Sequence, residues 1–400
     1  MTISLLFSRK MMLLMTLLLV AAAGCEYDAA EPVWYKEYAK PAAPVIHQLE
    51  PAVAIPGVNI ITIQGANFSP SADSNVVYFD AITAQVTEAT STMIRVRRPN
   101  LGADSSTVKV ATRHALTVAK YSPYKVDRVL ENYGAFVDNL ELSALAVDKD
   151  ENLYVVEYSK TIRKVTPDGS KTLLGTATRT AYDAAIGPDG HLYLTENNRA
   201  IDLVNTTTGA VTVWTRLPTG KVVKYGDFDS YGNFYTGGTR SDLIVVHPDL
   251  SVTYANAYAG DDITAIRAFK DFVYVVSRTY GTQDPVKIWK HPIDSAGNVG
   301  AQELVFDLAA AGTALSSRSV RAIAVAANGT LYLATDAPDP LLVIDPAAGS
   351  ADLFYGGIVP SYGKDLAWGN GNYLYLITGN AAPAQDWTVY RADMGITNAL

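Results

Sequence analysis

The chain carries one cysteine, Cys25, in 400 residues. A single thiol closes no internal disulfide and supplies no cluster of sulfur ligands to a metal. Histidine is nearly as scarce: His47, His114, His191, His247 and His291 are all there are. No two of them stand at a metal-binding spacing, and none joins a serine and an acid in one arrangement. This argues against the common forms of hydrolase and lyase chemistry. Charged residues make up only 18%, and the formal charge is −8. An acidic chain of this kind lacks the basic footprint that a nucleic acid needs, so no nucleic-acid partner is expected. Arg95, Arg97 and Arg98 form a local basic cluster that reads as a solvated strand face. Long apolar runs are missing too. The longest leading run, residues 11–23, is too short for a confident membrane span.

What the chain does have is apolar residues, at 48%, and 24 tyrosines, a composition that suits an all-β protein. It also has a recurring phrase. In residues 322–334 two apolar runs flank Asn328-Gly329, a strong hairpin signal. Asp189-Gly190-His191-Leu192-Tyr193 and Tyr231-Gly232-Asn233-Phe234-Tyr235 repeat it well, with looser copies ending at Tyr154, Tyr274 and Tyr375. The marker tyrosines Tyr154, Tyr193, Tyr235, Tyr274, Tyr332 and Tyr375 lie 39, 42, 39, 58 and 43 residues apart. A period near forty residues with four short strands in each predicts a six-bladed β-propeller over residues 122–400. The long interval falls at blade four, where Asp294 to Asn298 and Ala309 to Ser317 extend the chain. Blade six runs out of sequence after three strands. The segment Val126–Leu130 is expected to supply its fourth strand and leave the ring no free edge. The phrases with Asp-Gly turns resemble the NHL-repeat family.

At the N-terminus, Arg9-Lys10 precedes the apolar run, and Ala22-Ala23-Gly24-Cys25 follows it. Residues 1–24 therefore read as a signal peptide. The four residues around the cysteine resemble the bacterial lipobox, which implies cleavage before Cys25 and a lipid on its thiol. Losing residues 1–24 removes Arg9 and Lys10 and no acid, leaving a charge of −10. Glu26, not Asp, follows the cysteine, so inner-membrane retention is not signalled. The expectation is an outer-membrane lipoprotein of a Gram-negative bacterium, on the cell surface, with the periplasmic face left open. Contact with the membrane is through the anchor only. Residues 25–42, with Pro32 and Pro41 and no period, read as a tether.

Residues 43–121 form a second β unit. Pro44, Ile46, Pro51, Gly57, Ile61, Ile63, Gly65, Asn67, Phe68, Val77, Phe79 and Pro99 closely resemble the IPT/TIG immunoglobulin-like family. The resemblance implies a seven-strand sandwich that serves as a spacer. The fold class expected is thus all-β, a sandwich followed by a propeller.

In a propeller the turns between strands one and two share one face with those between strands three and four. The two-to-three loops and the blade connections share the other face, where a site normally sits. Strand-one starts bring Ser143, Tyr182, Asp183, Lys224, Tyr225, Thr264, Arg321, Lys364 and Asp365 to that face. Strand-two ends bring Glu157, Tyr158, Glu196, Asn197, Arg240, Arg278, Asp336 and Asn380. Mixed charge with tyrosines suits a polar ligand such as a sugar, whose hydroxyls bond to charged groups and whose C–H face meets rings. Trp289, Trp368 and Trp387 offer further rings. The ligand-binding residues expected are Tyr182, Asp183, Lys224, Tyr225, Arg321, Lys364, Asp365, Glu157, Glu196, Asn197, Arg240, Arg278 and Asp336. No catalytic residue, metal site or cofactor is expected. Gluconolactonase-type propellers hold a divalent cation on acids and asparagines. Glu157, Glu196, Asn197, Asp183 and Asp365 would have to fill that role, against the positive charge of Lys224, Arg321 and Lys364. Three readings stay open: a lipoprotein binding a polysaccharide or an envelope or surface protein, a lactonase- or lyase-type enzyme, and a structural envelope scaffold.

Overall fold

A computed structural model describes residues 42–136, 140–255, 257–360, 362–379 and 387–396. The signal peptide, Cys25 and nearly all of the tether lie outside the described residues, as does Asn380. Among the described residues no helix is long and apolar enough to cross a membrane.

Residues 45–126 form two packed sheets. Val45–Glu50, Ile60–Ala66, Met93–Arg97 and Val86–Ala89 make one; Val53–Ala54, Ala119–Val126, Ala103–Thr112, Asn75–Phe79 and Ile82–Ala84 make the other. Seven strands become nine because two of them break and change sheets, at Pro51 and at Gln85. Alternation builds the core: Ile61, Ile63, Ile94, Val96, Val77, Phe79, Val108 and Val110 point inward and are fully buried. The boundary expected after residue 121 falls inside Ala119–Val126. That strand pairs with Ala103–Thr112 through Val126, so the sandwich sheet extends past residue 121.

Six four-stranded blades follow. Their innermost strands are Leu142–Val147, Asp183–Ile186, Tyr225–Phe228, Asp261–Phe269, Val320–Val325 and Tyr362–Trp368, each against the next around a closed ring. The ring closes as anticipated, through a segment displaced by a few residues. Leu130–Asn132, not Val126–Leu130, pairs with Thr388–Asp393 as the outermost strand of blade six. Val126 is already committed to the sandwich.

The recurring phrase has a physical cause. Five of the six marker tyrosines are buried, Tyr274 being half-buried, and a buried hydroxyl needs an acceptor. Tyr154 donates to Asp148 (2.9 Å), Tyr193 to Asp189 (2.8 Å) and Tyr235 to Asp229 (3.0 Å). Each aspartate also caps backbone N–H groups of its own turn. Blade six has no such acid. Glu151 of blade one reaches across instead, accepting from the Tyr375 hydroxyl and the Gly371 amide, both at 2.9 Å. Position 369 is glycine because a Cβ there would lie 2.3 Å from the Glu151 carboxylate. In blade five, Gly329 takes the left-handed conformation at φ 87° and donates to the Ala326 carbonyl. The Asn-Gly hairpin is therefore a type I turn closed by a left-handed glycine.

The sandwich is fastened to blades five and six. The Tyr355 hydroxyl accepts from the Gly57 amide (2.8 Å) and donates to the Asp393 carbonyl (2.6 Å). Asn59 donates to the Leu353 carbonyl and accepts from the Tyr355 amide, and Arg97 pairs with Asp352 at 3.1 Å. Of the basic cluster, Arg95 stays on a solvated face, but Arg97 and Arg98 do not. Arg98 is 2% exposed, donates to the Ile55, Val58 and Asp127 carbonyls, and lies 6.0 Å from the Tyr355 ring centroid. The chain enters at Val45, opposite Ala66, while Ile60 at the other end of the same strand adjoins the junction. Seven extended residues separate the two ends by about 20 Å.

Candidate functional site

Antiparallel register sorts each blade's residues into two faces. Val320 pairs with Thr335 at one end of blade five, and Val325 with Leu331 at the other, next to Gly329. Arg321 and Asp336 therefore lie at the opposite end from the hairpin turn, and their side chains pair at 2.8 Å. On this face a cavity of about 640 Å³ opens at the channel mouth.

Its walls come from blades one, two, three, five and six. Tyr158, Tyr182, Tyr225, Tyr362 and Trp387 supply rings. Glu141 and Lys364 form an ion pair at 2.9 Å across the seam between blades one and six, and the Arg321–Asp336 pair of blade five lines the same cavity. Lys364 also lies 5.0 Å from the Trp387 ring centroid and 6.0 Å from that of Tyr158. Both cations of the wall are thus matched by an acid within it. Tyr158 and Tyr182 remain exposed, so their faces are open to a ligand.

Beneath the cavity the channel narrows to a second space of about 10 Å³, room for about one water molecule. Asp183, Arg267 and Asp365 line it, together with Tyr225 and Arg321, which border both spaces. The aspartates stitch neighbouring inner strands together. Asp183 accepts from the Gly226 amide (3.0 Å), Asp227 from Ala268 (3.0 Å) and Asp365 from Leu145 (2.8 Å). Asp183 and Asp365 each accept a second amide, from the residue that follows. Arg267 donates to the Ile323 carbonyl and pairs with Asp227 at 3.3 Å. Burial pushes Asp183 up to about 6 against the pull of its two amides, and Asp365 and Asp227 also rise through burial. Burial raises the Tyr225 phenol to about 12, so it enters any contact as a hydroxyl.

Of the residues expected at the site, Tyr182, Tyr225, Arg321, Asp336 and Lys364 line the main cavity. Asp183 and Asp365 lie below it, with their oxygens taken by backbone amides. The others face elsewhere. Glu157 is buried against Arg163 at 2.8 Å, and Glu196 against Thr178 and Asp202. Asn197 and Arg240 hold left-handed positions in their two-to-three turns, and Arg240 packs on Tyr280. Lys224 donates to the Thr239 hydroxyl beside Tyr182, and Arg278 is half-buried in blade four, outside the wall. Among the described residues no three His, Cys, Asp or Glu side chains come together to hold a metal ion. Trp368 is buried in a blade core and Trp289 donates to Ser277, which leaves Trp387 as the one of the three that reaches the cavity. Glu141, Thr180 and Tyr362 line the cavity without being expected from sequence, whereas Trp387 is one of the rings that the sequence offers. A signal existed for Tyr362: tyrosines recur at or just ahead of strand one in blades two, three and six, as Tyr182, Tyr225 and Tyr362.

Residues 44–125 match the family model of the IPT/TIG domain. No curated protein matches the chain. Among solved structures, an auxiliary nutrient binding protein from Bacteroides ovatus shares 12% identity and a TM-score of 0.51, with 87% of this chain and 97% of that one covered. A luciferin-regenerating enzyme, at 16% identity and TM-score 0.51, covers 68% of this chain and 97% of its own. A gluconolactonase from Xanthomonas campestris, at 13% identity and TM-score 0.50, covers 66% of this chain and 88% of its own. At such identities the likeness is one of fold.

Proposed function

We propose that this protein is a cell-envelope lipoprotein that binds a neutral oligosaccharide in the cavity at the propeller mouth, with the sandwich holding the propeller away from the lipid. The observation that carries this reading is the cavity wall: five aromatic rings and two ion pairs that neutralise one another. Rings accept the C–H faces of sugars, and paired carboxylate and cationic groups keep hydrogen-bonding capacity for hydroxyls without favouring a charged ligand. A recess of this volume suits a small polar ligand better than a protein surface, which needs a broad interface. Because Asp183, Arg267 and Asp365 close the channel below, the saccharide enters end-on and does not thread the ring. The Bacteroides ovatus protein is named for nutrient binding, and its likeness runs through most of this chain, which supports an envelope role. The lipid anchor rests on Ala22-Ala23-Gly24-Cys25. For a cation-dependent lactonase the geometry offers little support, since Glu157, Glu196, Asp183 and Asp365 are each engaged in separate structural contacts.

Titration calorimetry of the mature chain with short neutral glucan, mannan and xylan oligosaccharides, beside an oligogalacturonide, tests this. At least one neutral series binds and alters tryptophan fluorescence, and Trp387→Ala or Tyr182→Ala weakens it about tenfold, the worth of about 1.4 kcal/mol. Silence from every neutral series, or strict preference for the oligogalacturonide, overturns the proposal.

A further inference from the structure

Blades one and two share a glutamate at the end of strand two but give it different partners. In blade one, Glu157 at the end of strand two meets Arg163 six positions later, at 2.8 Å, and the buried acid is neutralised by a cation. In blade two the same two positions hold Glu196 and Asp202, two acids. Both are buried: the Glu196 side chain is 1% exposed, and Asp202 is also 1% exposed. Two buried carboxylates in contact cannot both be charged at reasonable cost.

Counting protons settles how they coexist. The Thr178 hydroxyl oxygen lies 2.9 Å from Glu196 Oε1 and is also in hydrogen-bond contact with Asp202 Oδ2. A hydroxyl has one proton to donate, so a proton held on one of the carboxyls lets both contacts be full hydrogen bonds. Among the described residues Asp202 Oδ1 has no hydrogen-bond partner. The remaining neighbours do not supply a full counter-charge. Asn198 donates to Glu196 Oε2 at 3.2 Å, the Arg179 amide donates to Oε1 at 3.2 Å, and the Arg179 guanidinium stands 3.8 Å off with 71% of its side chain in solvent. Burial and the hydrogen bond with Asp202 both push the Glu196 carboxyl up.

Thr178 and Arg179 lead directly into Thr180, Ala181 and Tyr182, which form a wall of the main cavity. We propose that Glu196 and Asp202 hold one proton between them and, through Thr178 and the Arg179 amide, act as a clasp that positions this wall. The clasp is closed while the proton stays and loosened when it leaves. It makes Glu196 and Asp202 positioning residues for the cavity, and that last step rests on the ligand-binding reading; the shared proton does not. The sign follows from linkage: a carboxyl whose titration is raised in the folded state stabilises the closed form at low pH and loses that contribution as pH rises through its folded value.

Hydrogen exchange of the mature chain, read on peptides covering residues 178–182 and corrected for intrinsic pH dependence, tests the clasp without any ligand. In the native sequence, protection falls about tenfold for each pH unit above the pair's titration. In Glu196→Gln, whose amide cannot ionise, the step is absent. In Asp202→Arg, which recreates the blade-one pair, it is absent as well, and the protonated-carboxyl infrared signal that titrates with the step in the native protein is lost. Protection that follows the same course in native protein and Glu196→Gln overturns the proposal. So does a pH step abolished by calcium with a rise in melting temperature, which makes the pair a cation site. Failure of every glycan to bind leaves these outcomes unchanged and bears only on the function proposed above.

Discussion

A single hydroxyl explains why the marker residue of blades one, two, three and six is tyrosine and not phenylalanine. Tyr235 is fully buried and donates to Asp229, a carboxylate that also takes the Asn233 side chain and two amides. Tyr332 sits in the equivalent place among Phe354 and Trp368, with no hydrogen bond from its hydroxyl seen among the described residues. Tyr235→Phe is therefore expected to cost about 2 kcal/mol, the worth of a bond to a charged acceptor, and Tyr332→Phe under about 1 kcal/mol. Urea unfolding of the two variants checks this; equal losses would mean that the ring and not the hydroxyl selects the residue. The same contrast shows what was legible in advance. The tyrosines could be read because a period near forty residues repeats them. The partners could not, because the acceptor comes from four residues before (Asp189), six before (Asp229) or another blade (Glu151).

At the scale of elements, blades repeat but their seams do not. Blades one and six meet across the ends of the ring, and Glu151 is the residue of one that completes the turn of the other. Glu151→Ala leaves the Tyr375 hydroxyl and the Gly371 amide without an acceptor and opens a void beside Gly369. A loss of about 3 kcal/mol is expected, with faster hydrogen exchange concentrated in blade six. Uniform loosening of all six blades would show that the seam is no weaker than the rest. Strand positions followed from alternation, so the cavity-facing strand ends could be named from sequence. Which of them converge could not. Burial drew Glu157 and Glu196 into structural pairs within their own blades, while Tyr182, Tyr225 and Tyr362 turned toward a shared space.

At the scale of the whole molecule, sandwich and propeller behave as one body. Arg98 read as part of a solvated face because a cluster of three arginines resembles an exposed strand. Its burial became visible only once the Ile55, Val58 and Asp127 carbonyls were seen around it. Arg98→Leu takes the donor from the Val58 and Asp127 carbonyls, while Ile55 keeps the Val58 amide, and is expected to cost about 3 kcal/mol. Calorimetry should then resolve two thermal transitions where the native protein gives one; a single unshifted transition would mean the two units are coupled by other contacts. The seam has one more implication, for the order of events during biosynthesis. Asn132 bonds to Thr388, a partner made 256 residues later. The sandwich can fold as soon as it emerges, but the strand leaving it must wait, unpaired, until residues 388–393 have been made. Closure of the ring is therefore a late event of synthesis, and a chain stalled before residue 388 would present an open strand edge to whatever chaperones meet it.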